Sequence, residues 1–194
     1  MLNKTDRKFH WAWLSEHNDV MRHDMRVLYE LLSHTSGNQF VDLGCFIGGF
    51  TALLARVAKQ RSGRVYSTDL YKSTKVGLDF CNEHLLYPCK DYFIENMMGE
   101  GVLDTIELNE GCSWEFASKF KDGSVDFVWI DADHHYESVI KDIRAWYPKL
   151  RKGGTMAGHD YSDWGVEMAV RDFFPFYGVY PTRNDIWFFK KESV

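Results

Sequence analysis

The chain has 194 residues, the length of one domain, with 45% hydrophobic residues for a core; at 26% charged residues it is not a disordered chain. A net charge of −5 without a basic run argues against nucleic-acid partners, and no stretch approaches the ~20 apolar residues of a membrane span. The cysteines Cys45, Cys81, Cys89 and Cys112 make no CxxC pair and no zinc spacing, so reduced thiols and a cytoplasmic location are expected, with no apolar signal segment after Met1–Arg7.

Residues 1–38 read as a helical extension of the domain that fills 39–194. Leu14, Met21, Met25, Leu28 and Leu32 recur at helical spacing, with Arg22, Asp24, Arg26 and Glu30 between them, and the helix ends near Ser36-Gly37. It is expected to pack on a sheet edge or to lid a ligand. Trp11 and Trp13 are expected at that edge; contact with a substrate or a second subunit, hence a homo-oligomer, stays open.

From Gln39 onward apolar strands alternate with amphipathic helices. Phe40–Asp42 is the first strand and Thr51–Lys59 the first helix; Val65–Thr68 is the second strand, and Lys75–His84 and Cys89–Met98 read as helical. Thr105–Asn109 is a third strand, followed by a helix over Ser113–Phe120 with Ser113 as N-cap. Val125–Ile130 is nearly all apolar, as a strand buried on both faces should be. Ser138–Trp146 is helical, Gly153-Gly154 punctuates before a fifth strand at Thr155–Gly158, and Val166–Phe174 is helical. Val179–Thr182 and Ile186–Lys190 form a closing hairpin around Arg183-Asn184-Asp185. The pattern predicts an α/β fold: a doubly wound, mostly parallel sheet with a C-terminal antiparallel hairpin.

Ligands in such sheets lie outside the carboxyl ends of the strands. Strand one ends in Gly44-Cys45-Phe46 and Gly48, and strand two in Asp69-Leu70, with Asp69 placed 21 residues beyond Gly48 to accept ribose hydroxyls. The glycines are spaced G-x-x-x-G-G rather than G-x-G-x-x-G, which favours a nucleoside without a pyrophosphate. After strand three, Cys112 and Ser113 could border an adenine ring; for Ser113 a simple cap is the alternative.

Asp42-Leu43-Gly44 with Gly48-Gly49, followed by Asp69, resembles the cofactor-binding half of the class I S-adenosylmethionine-dependent methyltransferases. The glycine variant and the later His159-Asp160 pair resemble the small-molecule O-methyltransferase branch, which includes macrolide-sugar and rhamnosyl enzymes and cephalosporin hydroxylase-like proteins. The resemblance spans roughly Gln39 to Tyr161. It implies the Rossmann-like methyltransferase fold and S-adenosyl-L-methionine held by Asp42, Gly44, Cys45, Phe46, Gly48, Asp69, Leu70, Cys112 and Ser113. The implied partner is a hydroxylated small molecule.

Strand four ends in Asp131-Ala132-Asp133-His134-His135, and strand five in His159-Asp160-Tyr161. Asp131 and Asp160, with His159 as a third ligand, could chelate Mg²⁺ or Mn²⁺. The metal-dependent branch uses Asp-Asn or Asp-Asp where His159-Asp160 stands, so His159 departs from its pattern. His134 occupies the place of a catalytic Lys in the catechol-type enzymes, and an imidazole pKa suits a base. Asp133 and His135 remain alternatives for the group facing the pocket. Tyr161 and Trp164 could stack on a substrate, and Lys72 and Lys75 could brace the adenine rim. A non-catalytic nucleoside-binding module is the competing reading. A nicotinamide oxidoreductase is weakened by the missing glycine spacing.

Overall fold

A computed structural model describes residues 18–71, 89–179 and 185–192. The expectations at Leu14, Trp11, Trp13, Lys72, Lys75, Cys81, the helix Lys75–His84 and the hairpin turn at Arg183-Asn184 lie outside the described residues.

Helix α1 (Asn18–Ser33) leads into β1 (Gln39–Leu43), α2 (Gly49–Gln60) and β2 (Arg64–Asp69). Then follow α3 (Cys89–Gly99), β3 (Ile106–Glu110), the one-turn α4 (Ser113–Phe116) and β4 (Val125–Ile130). The chain continues through α5 (Tyr136–Trp146), β5 (Leu150–Gly158), α6 (Trp164–Phe173), β6 (Gly178–Val179) and β7 (Trp187–Lys190). The strands form one seven-stranded sheet in the order β3-β2-β1-β4-β5-β7-β6. Strands β1 to β5 pair in parallel, and β7 is antiparallel to both of its neighbours, so the predicted hairpin closes the sheet.

Alternate residues of the central strands serve two cores. Phe40, Val65, Phe127 and Trp129 face a cluster containing Leu28, Leu32, Leu54, Ala58, Phe93 and Met97 from α1, α2 and α3. Val41, Leu43, Val128 and Ile130 face Ile140, Ile143, Trp146 and Val170 from α5 and α6. Every residue of β4 is buried, as its composition predicts for the middle of a covered parallel sheet. The reversal of strand order falls between β1 and β4, which is where a doubly wound sheet opens its ligand crevice.

The passage from α1 into β1 is clamped by charge. Asp126 Oδ2 accepts the backbone N–H groups of Asn38 and Gln39, each at 2.8 Å, and its other oxygen takes Arg151 Nε. Arg61 donates to the carbonyls of Leu32, Thr35 and Gly37, and Arg151 to that of Ser36. These bonds satisfy the Leu32 carbonyl in the last turn of α1, which the helix cannot satisfy by itself, and the carbonyls of the turn that follows.

Three expectations are corrected. Gly153-Gly154 does not precede the fifth strand but lies inside β5, where the pairing register with β4 shifts; Gly153 N–H and Gly154 C=O bond to Lys191. Ser113 is not an N-cap: Cys112 holds that position without a side-chain cap bond, and the Ser113 hydroxyl donates to Asp142, a buried acid that needs a donor. Cys89 is in a disulfide while Cys45 and Cys112 are free, which removes the thiol argument for a reducing compartment. Among the described residues no helix is long and apolar enough to cross a membrane.

Candidate active site

The loop after β1 is shaped by backbone contacts. Gly44, at φ +86°, bonds through its N–H to Thr68 C=O at 2.9 Å, and a Cβ there would lie 2.0 Å from the Asp131 carbonyl oxygen. Gly48, at φ +94°, precedes α2, and its Cβ would press on Met97 and Phe93. Both positions favour glycine because L side chains are strained at such φ, and at Gly44 the space is also filled by backbone. These glycines let β1, β4 and α3 close up beneath the crevice.

Asp69, at the tip of β2, accepts the N–H of Phe46 at 2.8 Å through one oxygen and that of Tyr71 at 3.0 Å through the other. It thereby ties the loops after β1 and β2 together, and each oxygen keeps a second lone pair for a hydroxyl. Burial raises its pKa, and these N–H bonds oppose the rise. Leu70 follows it, half-buried. The Cys45 thiol is buried and lies 3.1 Å from the Tyr71 hydroxyl; burial pushes its pKa up, so it is an inert packing group. Cys112 follows Gly111, whose N–H bonds to the Asp69 carbonyl at 3.0 Å. The strand pairing thus brings Cys112 to the Asp69 end of the crevice, whereas the Ser113 hydroxyl is turned onto Asp142.

Asp42 is 1% exposed and takes a hydrogen bond from Thr51, yet its Oδ1 has no partner. Burial, with repulsion from Asp131 and Asp69, lifts its pKa to about 7 against the Thr51 bond. Asp131, just past β4, is pushed up to about 6 by burial, with Asp160 adding to the rise and His159 and His134 opposing it. Three adjacent strands, β2, β1 and β4, therefore bring carboxylates to one edge, and Asp42 is repelled by the other two. Among the described residues no lysine or arginine pairs with any of the three.

On the β5 side the side chains hold one another. His134 Nε2 lies 3.0 Å from Asp160 Oδ2, and His159 Nδ1 lies 3.2 Å from the same oxygen. His159 Nε2 lies 3.2 Å from Asp24 Oδ2 on α1. Burial works against charging His159, but its bonds to Asp160 and Asp24 lift its pKa to about 11. Burial also opposes ionisation of Asp160, and the two histidines nonetheless hold it well below the usual carboxylate range. The Asp160 bond raises the His134 pKa. Asp160 has φ +53°, an uncommon backbone state for a non-glycine residue and one that clusters at functional sites.

One ligand atom each from Asp131, His134 and Asp160 lies within 4.8 Å of the others. His159, expected to be the third metal ligand, is not in this group; both of its nitrogens are taken by carboxylates. The set has the two carboxylate oxygens that suit a hard divalent ion, with an imidazole beside them. His135, the alternative base, is held by Asp133 at 2.6 Å, and Asp133 also accepts from Ser138. That pairing fixes the start of α5 and leaves His134 to face Asp160. Tyr161 pairs with Tyr177, hydroxyl to hydroxyl at 2.8 Å, and Trp164 is exposed.

The sequence reasoning missed Asp24, Thr51 and Tyr71. Asp24 carried a signal, since it sits three residues after Met21 and four before Leu28, an acid on an otherwise apolar helix stripe.

Residues 41–161, more than half of the chain, match the family described as methyltransferase domain. The chain belongs to that family. This methyltransferase has the class I, S-adenosylmethionine-dependent architecture, as the sequence resemblance implied. A methyltransferase from Geobacter sulfurreducens superposes with a TM-score of 0.67 at 14% identity, covering 100% of this chain and 92% of that one. The TDP-rhamnose 3'-O-methyltransferase CalS11 of calicheamicin biosynthesis superposes with a TM-score of 0.59 at 17% identity, covering 92% and 82%. At these identities the two neighbours share the fold. The uncharacterized protein R132 of Acanthamoeba polyphaga mimivirus is 40% identical over 40 residues, which span 21% of this methyltransferase and 18% of that protein.

Proposed function

We propose that this methyltransferase moves a methyl group from S-adenosylmethionine to a hydroxyl of a small molecule of the sugar or natural-product type. The observation that carries this reading is the group of carboxylates Asp69, Asp42 and Asp131 on three adjacent strands, none of them paired with a lysine or arginine among the described residues, beside the His134–Asp160 pair. Buried like charges destabilise one another until a cation relieves them. A ligand with a sulfonium and an ammonium group answers that demand, and a neutral or phosphorylated nucleoside does not. The sugar acceptor of CalS11 is a property of that enzyme and supports the substrate class here as an analogy of fold.

The residues divide the work. When bound, S-adenosylmethionine supplies a methyl on a positively charged sulfur, which an oxygen lone pair displaces in line. Asp69 offers lone pairs to the ribose hydroxyls, and Asp42 and Asp131 supply negative charge around the sulfonium. His134 is the base. With Nε2 on Asp160, its Nδ1 is the nitrogen assigned to take the acceptor proton, and the Asp160 carboxylate balances the imidazolium that forms. Asp131 and Asp160 would hold a divalent cation, which lowers the pKa of a hydroxyl bound to it.

Calorimetric titration with S-adenosylmethionine and S-adenosylhomocysteine, followed by turnover on a panel of hydroxylated sugars with and without Mg²⁺, tests this reading. His134→Ala should lower turnover about 10²- to 10⁴-fold with cofactor affinity unchanged. Absence of cofactor binding overturns the proposal. Binding without transfer to any hydroxyl supports the non-catalytic module instead.

A further inference from the structure

We propose that Asp24, on the N-terminal helix and outside the span that matches the family, is a positioning residue for the methyl-transfer site, acting through His159 on Asp160 and His134. The inference rests on the O-methyl-transfer reading above. Its geometry is a continuous chain of four side chains: Asp24 Oδ2 to His159 Nε2 at 3.2 Å, His159 Nδ1 to Asp160 Oδ2 at 3.2 Å, and Asp160 Oδ2 to His134 Nε2 at 3.0 Å. An imidazole ring is rigid, so fixing one nitrogen fixes the direction in which the other points.

The two ends of this chain live in different surroundings. The Asp24 side chain is 3% exposed and that of His159 15%, whereas those of Asp160 and His134 are 33% and 42% exposed. The sealed pair is packed in: Asp24 is buried on α1, and the His159 ring packs on Phe50, with centroids 5.5 Å apart, and Trp129, at 6.3 Å. Asp160 also holds a backbone conformation, φ +53°, that the chain adopts only where its surroundings enforce it. Asp24 is thus the fixed end from which the orientation of the accessible carboxylate and imidazole is set, and outer partners of this kind commonly matter about 10- to 100-fold.

A double-mutant cycle with an independent spectroscopic readout tests this. In the full-length chain, Asp24→Ala should lower kcat about 10- to 100-fold while KM for S-adenosylmethionine and the calorimetric affinity for S-adenosylhomocysteine stay within about threefold. Asp24→Asn, which keeps an acceptor oxygen, should recover part of the loss. In a His159→Ala background Asp24→Ala should add no further loss, because the pathway is already cut. Histidine ring signals in two-dimensional NMR read the same coupling without any methyl acceptor: the His134 resonances should move in Asp24→Asn and in Asp24→Ala. Additive losses in the cycle, or unmoved His134 signals, overturn the positioning role. If the wild type binds cofactor but transfers no methyl while His134 still responds to Asp24, the functional reading fails and the positioning survives.

Discussion

The carboxyl edge of the sheet is built in two different ways. Along β1 and β2, the loops are shaped mainly by side chains that hold backbone: Asp69 gathers the N–H groups of Phe46 and Tyr71, Thr68 Oγ1 bonds to the Gly111 carbonyl, and Gly44 lies flat against Asp131. Along β4 and β5, side chains hold side chains, in the chain from Asp24 to His134. The first construction presents a loop of defined shape lined by negative charge, which suits a ligand that is always the same. The second presents a carboxylate and an imidazole whose alignment can be tuned from behind, which suits the variable partner in a transfer reaction.

The comparison can be broken most forcefully at Gly44. Gly44→Ala should cost more than about 4 kcal/mol in chemical denaturation, since neither the positive φ nor the Asp131 backbone can yield. A well-folded Gly44→Ala protein would mean that the β1 edge is not backbone-determined. A more moderate effect is expected at Asp42. Asp42→Asn should weaken S-adenosylmethionine about tenfold or more relative to S-adenosylhomocysteine in calorimetry, because only the former carries the sulfonium charge. Equal losses for the two ligands would show that this edge reads shape and not charge.

The smallest effect belongs to Asp142, which serves neither edge. Burial lifts its pKa to about 7, with the Ser113 bond opposing the rise. The unfolded chain ionises this group near pH 4 and the folded chain only near 7, so the unfolded state gains from deprotonation first. Its contribution to stability is therefore full at low pH and is lost between about pH 4 and 7. Asp142→Asn should flatten that slope and raise stability at pH 8 by about 1 kcal/mol, the amide donor left over offsetting part of the gain. Thermal denaturation across pH checks this; an unchanged slope refutes it.

The same division explains what could be read from the sequence. Val125–Ile130 announced itself as the central strand because burial on two faces leaves only apolar residues, and the structure has the strand over those same residues. The turn after β1 was legible because its glycines answer local steric demands. His159 reads from the sequence as a metal ligand because its partner Asp24, 135 positions away, leaves no trace near it. Ser113 read as a cap because caps favour serine, and nothing nearby in sequence points to Asp142. Gly153-Gly154 read as punctuation because a bulge inside a strand leaves the same glycine signature as a break before one.

The charged clamp between α1 and the sheet also sets a limit on engineering. Shortening the chain to begin at β1 would strip Arg61 of its carbonyl acceptors and Asp126 of the Asn38 amide, and would expose the sheet face that Leu28 and Leu32 cover. The leading helix is thus packed into the sheet although it lies outside the family match at residues 41–161, and a version trimmed to that match is expected to lose stability.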